Sequence, residues 1–124
     1  MKANELMIGD FVRTIYSQKI VKVKEVKQSC IYTEGNGYEY NEIEPIPLTI
    51  EILERNGFKK DDTLEKMYYC NWSICNDCIS YDKETKEIRI FYTLGRLVFV
   101  QPLSYVHLLQ HALRLCGIEK EIIL

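Results

Sequence analysis

The residues of this 124-residue chain whose types and spacing suggest chemistry are cysteines and histidines. Cys75 and Cys78 form a C-x-x-C pair in the segment CNWSICNDC, residues 70–78. His107 and His111 lie one helical turn apart in the segment VHLLQH. Two thiolates and two imidazoles are a familiar ligand set for tetrahedral zinc. One hypothesis is therefore a zinc site formed by Cys75, Cys78, His107 and His111.

The sequence around these cysteines favours a simpler interpretation, in which they are buried or loop thiols. The interval of 28 residues between Cys78 and His107 is longer than the roughly 12–15 residues of a zinc finger. A redox dithiol would precede a helix, whereas a strand is predicted after Cys78. A Cys–His hydrolase or transferase could use Cys75 as its nucleophile and His107 as its base. No glycine-rich segment near Cys75 indicates the oxyanion hole that such an enzyme needs. We therefore expect no catalytic residue and no cofactor, with zinc as the alternative.

A second candidate site is the basic segment 13–27, which carries five basic residues and one acidic residue. Lysines and tyrosines on one face of a small β-barrel could bind a nucleic-acid backbone and stack on its bases. The competing interpretation is that the lysines form the solvated face of an amphipathic strand, near glutamates that weaken the potential. The residues assigned to the nucleic-acid site are Arg13, Lys19, Lys22, Lys24, Tyr32 and Tyr40.

The composition limits the class of partner. Sixteen basic residues against eighteen acidic ones leave the whole chain without the strongly basic character of many nucleic-acid-binding proteins. The first residues lack the pattern of a secretory signal, and no apolar run approaches the ~20 residues of a membrane span. The odd number of cysteines indicates reduced thiols. We therefore expect a cytoplasmic protein with no membrane partner.

The first 48 residues are rich in β-branched and aromatic residues, with turns between short segments. They predict a small SH3-like β-barrel or a curled antiparallel sheet, with a hairpin turn at Asn36-Gly37. The prolines of PIPL then end the strand region. The next segment predicts a helix over 49–56, which begins at the N-cap Thr49 and ends before Gly57.

The rest of the chain predicts further antiparallel strands and a C-terminal amphipathic helix over about 104–116. Ser104 is its predicted N-cap and Gly117 its stop signal. The fold class is therefore α+β. We expect a single domain over residues 1–124, with an N-terminal β segment at 1–48 and an α+β segment at 49–124. The helix also has a polar stripe opposite its apolar face, formed by His107, Gln110, His111 and Arg114.

Three stretches resemble a family of small uncharacterised proteins from Bacteroides-type gut bacteria and from their prophages and conjugative elements. They are MKANELMIGDFV, YEYNEIEPIPLTIEILERNGF and YVHLLQHALRLCGIEKEI, in the order that the family keeps. His107 falls within the last stretch, whereas the family has asparagine at the position of His111. The resemblance implies an accessory protein of a phage or mobile element, and it implies no enzymatic activity.

We therefore expect a non-enzymatic, cytoplasmic interaction or accessory protein. It would act by binding a protein partner or by self-association, for example as a homodimer. Nucleic-acid binding through the Lys/Tyr face of the N-terminal β segment is the first alternative. A zinc- or thiol-dependent protein centred on Cys75 and Cys78 is the second.

Overall fold

Antiparallel strands make up most of the regular structure in residues 1–70, 78–92 and 96–124, the residues that the computed structural model describes. Two α-helices accompany them, one of them near the C-terminus, so the predicted α+β class is confirmed. The chain divides into two units. These are Met1–Pro47 with Tyr105–His111, called the first unit, and Leu48–Ser104 with Ala112–Leu124, called the second unit.

The first unit contains two antiparallel sheets of three strands each. Its strands are β1 (Phe11–Thr14), β2 (Ile20–Lys22), β3 (Glu25–Val26), β4 (Cys30–Thr33), β5 (Asn36–Glu39) and β6 (Ile43–Pro45). In one sheet β1 lies between β2 and β6, and in the other β4 lies between β3 and β5. Both sheets are open, so a closed barrel is not observed among the described residues. The reason is that segment 20–26 is divided, with β2 paired to β1 and β3 paired to β4.

The core of the first unit follows from the alternation of its strands. Val21 and Val23 are buried, as their alternation with lysines predicts. Val12 on β1 lies on the same side, opposite Val21 in the register of the sheet. A cluster of buried aliphatic side chains results, formed by Leu6, Val12, Val21, Val23, Ile31 and Ile43. This core supports the strands whose outer faces carry the polar side chains discussed below.

The second unit has one five-stranded antiparallel sheet in the order β11-β10-β9-β8-β7. The strands are β7 (Lys59–Lys60), β8 (Met67–Cys70), β9 (Cys78–Asp82), β10 (Glu87–Tyr92) and β11 (Arg96–Pro102). β9 and β10 form an antiparallel hairpin, and Lys86 adopts a positive φ of 61° in its turn. The segment MYYCNWSI predicts a strand over 67–74, which β8 confirms at its start, while the remaining residues lie outside the described ranges.

Helix α1 (Ile50–Arg55) forms with the caps that its sequence predicts. The hydroxyl of Thr49 accepts a hydrogen bond from the backbone N–H of Ile52 at 3.3 Å. Gly57 has a φ of 95°, and its backbone N–H donates to the carbonyl of Glu54. The backbone N–H of Phe58 donates to the carbonyl of Leu53. These two hydrogen bonds define a Schellman motif.

Helix α2 (Val106–Leu115) begins later than the predicted N-cap at Ser104. Tyr105 forms an isolated antiparallel β-bridge with Pro47, and the backbone N–H of Val106 donates to the backbone carbonyl of Ile46. The chain is therefore still extended at Tyr105, and the helix starts after it. Gly117 stops the helix as predicted, with a φ of 70°. Within the described ranges, neither helix combines the length and the apolar character needed to cross a membrane.

Candidate functional site

A lysine-lined groove lies on the surface of the first unit. It has a volume of about 240 Å³ and is formed by β2, its flanking residues and the β4–β5 turn. We call it the lysine groove. The side chains that give it its chemical character are those of Lys19, Lys22, Lys24, Thr33, Glu34 and Asn36.

The alternation of buried and exposed residues explains why three lysines meet in this groove. Val21 and Val23 point into the core, so Lys22 and Lys24 point outward on either side of Val23. Lys19, just before β2, is exposed as well. Among the described residues that line the groove, three are lysines and one, Glu34, carries a carboxylate.

The lysines differ in their surroundings. The Nζ of Lys22 lies 5.7 Å from the centroid of the Phe11 ring, which is within cation–π distance. Lys19 and Lys24 take part in no ion pair with any described residue. Their charges are therefore available to an anionic ligand.

The other residues predicted for nucleic-acid binding are engaged within the protein. The Nε of Arg13 donates to Glu44 at 2.8 Å, so this guanidinium is already paired with a carboxylate. Tyr40 donates its hydroxyl hydrogen to the carbonyl oxygen of Lys27. None of these groups belongs to the lysine groove.

Tyr32 is 40% exposed, and two neighbouring residues lie close to its ring. Gly37 lies opposite Tyr32 on the neighbouring strand β5. The ring of Tyr32 is so close to it that a Cβ atom added to Gly37 would lie 3.0 Å from a ring carbon. The Nζ of Lys27 lies 5.3 Å from the ring centroid. Both contacts reduce the ring surface on which a base could stack.

A second polar cluster joins the first two turns of α2 to residues 7–11 in the same unit. Its centre is Asp10, which is fully buried. One carboxylate oxygen, Oδ2, accepts a hydrogen bond from the backbone N–H of Met7 at 2.8 Å and lies 2.6 Å from the Nε2 of His111. A carboxylate in this position orients the imidazole ring, as in many structural and catalytic Asp–His pairs.

Gln110 makes the second connection between α2 and this segment. Its Oε1 accepts from the backbone N–H of Phe11 at 2.9 Å, and its Nε2 donates to the carbonyl of Gly9 at 3.0 Å. Gln110 is only 8% exposed. Gln110 therefore does not belong to a solvent-exposed polar stripe on α2, and that prediction is wrong for this residue. Its side-chain amide makes the hydrogen bonds to the backbone on both sides of Asp10 that a neighbouring strand would otherwise make.

His107 is also buried, with 3% of its surface exposed. Its ring stacks on Tyr105 with centroids 5.9 Å apart and meets the His111 ring edge-on at 5.6 Å. The buried Nδ1 has no hydrogen-bond partner among the residues that the structure describes. Burial lowers the pKa of His107, and the nearby His111 acts in the same direction, while the carboxylates of Asp10 and Glu5 oppose the shift.

The lowered pKa of His107 predicts that acid destabilises the protein. The folded state binds its proton less tightly than the unfolded chain, so this contribution to stability is complete above the unfolded pKa of about 6.5 and is lost as the pH falls below it. In urea unfolding at pH 7.5 and pH 5.0, we expect His107→Leu to show a smaller loss between the two pH values than the wild type. An unchanged pH dependence in the variant would contradict this origin of the effect.

The predicted zinc site stays a prediction, because two of its four side chains lie outside the described part of the chain. Cys75 lies outside the described residues, and for Cys78 only the backbone, at the start of β9, is described. His107 and His111 do lie side by side, and the carboxylate beside them is Asp10. Among the described residues, no three histidine, cysteine, aspartate or glutamate side chains are arranged to hold a metal ion.

Cys70 has the structural role that its place on a strand predicts. It is buried, and its Sγ lies 3.9 Å from the carbonyl oxygen of Asn56. Asp10 and Gln110, in contrast, are interacting residues that sequence reasoning missed. The local signal for Asp10 is the pair Gly9-Asp10, which is typical of a turn and does not identify a partner for the carboxylate.

No family model, no curated protein and no solved structure matches this chain. A function is therefore inferred from the geometry and charge of the two clusters themselves.

Proposed function

We propose that this protein is a non-enzymatic binding protein whose first unit binds nucleic acid through the lysine groove. The observation that carries the proposal is the convergence of Lys19, Lys22 and Lys24 on one open groove that contains a single carboxylate. Phosphate groups are the natural ligands of such clustered ammonium groups, because each contact releases condensed counterions from the nucleic acid.

The spacing of the lysines suits a linear polyanion. Lys22 at the end of β2 and Lys24 just beyond it are two residues apart, so their Cα atoms are at most roughly 7 Å from each other. Thr33 and Asn36 add a hydroxyl and an amide, which can bind phosphate or sugar oxygens. The groove therefore combines positive charge with neutral hydrogen-bonding groups.

The chain as a whole has a formal net charge of −2. Long-range attraction to nucleic acid is accordingly weak, and binding must come from the local potential of the groove. We expect an affinity that is measurable at low ionic strength and that falls steeply as salt is added, because the contacts are mainly with phosphates.

The test is a charge reversal in the groove. Lys22→Glu/Lys24→Glu should weaken binding of a labelled oligonucleotide about ten-fold or more at low salt, because two phosphate contacts become repulsive. Fluorescence anisotropy titrations at several salt concentrations measure both the affinity and its salt dependence. The double variant should also show a smaller salt slope than the wild type.

A matched control is Lys59→Glu/Lys60→Glu, which makes the same change of charge at two exposed lysines of β7 in the second unit. It should bind within about two-fold of the wild type if the lysine groove is the site. Equal loss in both double variants would mean that only net charge matters. Binding by the wild type that does not depend on salt would reject the proposal.

The competing proposal is binding to a protein partner or to a second copy of the chain. It is supported by Met7 and Ile8, two adjacent apolar side chains that are both exposed. An accessory role in a phage or mobile element agrees with either proposal and rests on the family resemblance. If the wild type binds no oligonucleotide and light scattering shows a stable dimer, self-association replaces nucleic-acid binding as the proposal.

A further inference from the structure

The turn between β1 and β2 presents an aromatic side chain that the lysine groove alone does not explain. Tyr16 is 87% exposed, the highest value among the exposed large hydrophobic side chains of the described residues. No hydrogen bond or ring contact holds its side chain within the described part of the chain. The turn continues directly into Lys19, the first residue of the lysine groove.

The turn itself is held in one conformation. Two hydrogen bonds join Thr14 and Lys19. The backbone N–H of Thr14 donates to the carbonyl of Lys19 at 2.9 Å, and the backbone N–H of Lys19 donates to the hydroxyl of Thr14 at 3.0 Å. Gln18, with a φ of 55°, donates its side-chain amide to the carbonyl of Ile15 at 2.7 Å. The hydroxyls of Thr14 and Ser17 are also hydrogen-bonded to each other. Tyr16 therefore projects from an ordered turn.

An ordered, exposed aromatic residue beside a cationic groove is the combination found in proteins that bind single strands. A base can stack on an aromatic ring only if its face is accessible, which is true of an unpaired base and not of a base inside a duplex. Tyr32 and Tyr40 are less suited to this role, because Gly37 and Lys27 already lie against the ring of the first and a hydrogen bond holds the hydroxyl of the second. Tyr16 has neither restriction.

We propose that the ligand of the first unit is single-stranded nucleic acid, with Tyr16 stacking on an unpaired base while Lys19, Lys22 and Lys24 bind the adjoining phosphates. This inference rests on the proposed function and specifies the class of its ligand. The two parts of the site have separate signatures. The lysines set the salt dependence of binding, and the tyrosine sets a contribution that salt does not alter.

The experiment compares a fluorescein-labelled oligothymidylate with a duplex of the same length, by anisotropy in the same low-salt buffer. We expect the single strand to bind more tightly than the duplex. Tyr16→Ser should weaken single-strand binding about five-fold or more, which corresponds to the loss of one stacked base. The slope of the affinity against salt should stay as in the wild type. Tyr16→Phe, which keeps the ring, should bind as the wild type does.

The remaining outcomes separate this inference from the proposed function. If the wild type binds neither oligonucleotide, both fail. If it binds the single strand and Tyr16→Ser binds equally well, the stacking role is wrong while the lysine groove stands. If the duplex binds as tightly as the single strand, the assignment to single strands is overturned. A smaller salt slope in Tyr16→Ser would show that the variant disturbs the lysines, which would also overturn the stacking role.

Discussion

Replacing Asn56 with alanine should lower the free energy of unfolding by about 3 kcal/mol, because it removes three hydrogen bonds from a buried amide. Asn56 ends helix α1, and its Nδ2 donates to the carbonyl of Ile52 at 2.8 Å. The same group donates to the carbonyl of Ile123 at 2.7 Å, and Oδ1 accepts the N–H of Ile123 at 2.7 Å. One side chain therefore holds both the end of a helix and the C-terminal segment of the second unit.

Urea denaturation measures the loss of stability, and hydrogen exchange at the amide of Ile123 shows where it occurs. That amide should exchange much faster in Asn56→Ala, because its acceptor is gone. Asn41→Ala is the matched control, since Asn41 is exposed and its replacement should change the free energy of unfolding by less than about 0.5 kcal/mol. A loss of similar size in both variants would contradict the role assigned to Asn56.

The parts of the fold that follow from local rules could be predicted from the sequence. Helix α1 has a hydroxyl at its N-cap and a glycine at its C′ position, and both ends form as these residues predict. The hairpin signal at Asn36-Gly37 and the alternation of Val21 and Val23 also correspond to observed strands. In each case the determining interaction lies within a few residues of the chain, so the pattern alone contains it.

The parts that depend on distant residues could not be predicted in this way. The polar residues of α2 resemble a solvated stripe, and Gln110 gives no local sign that its partners are Gly9 and Phe11, about a hundred residues earlier. A buried glutamine whose amide is fully hydrogen-bonded has the same sequence pattern as an exposed one. The division of segment 20–26 between two sheets has the same cause, because strand pairing is a long-range choice.

The candidate site was predicted in part. Lys19, Lys22 and Lys24 do line one groove, because the alternation that buries Val21 and Val23 also directs the lysines outward. The ion pair of Arg13 with Glu44 depends on the pairing of β1 with β6, which the sequence does not specify. Local periodicity therefore determines which side chains face outward, and only the tertiary fold determines which of them remain available to a ligand.

Replacing Gln110 with alanine is the second change from which we expect a large effect, a decrease of about 2–4 kcal/mol in the free energy of unfolding. The variant loses both hydrogen bonds to the backbone and leaves the N–H of Phe11 and the carbonyl of Gly9 without their partner. The loss should spread to Val23, the residue after β2, because the N–H of Gly9 donates to the backbone carbonyl of Val23 and the N–H of Val23 donates to the backbone carbonyl of Asp10.

Two measurements distinguish this role from a general loss of packing. Hydrogen exchange should accelerate at the amides of Phe11 and Val23, and urea denaturation should show the lower stability. Gln110→Glu keeps the shape of the side chain and the acceptor for the N–H of Phe11, but it loses the donor to the carbonyl of Gly9. Its free energy of unfolding should lie between those of the wild type and Gln110→Ala if the carboxyl group is neutral. It should lie below both if the carboxylate stays charged and buried. Gln28→Ala, at an exposed glutamine of the same unit, should leave stability unchanged within about 0.5 kcal/mol. If Gln110→Ala is as stable as the wild type, the amide does not serve as the connection between α2 and residues 9–11.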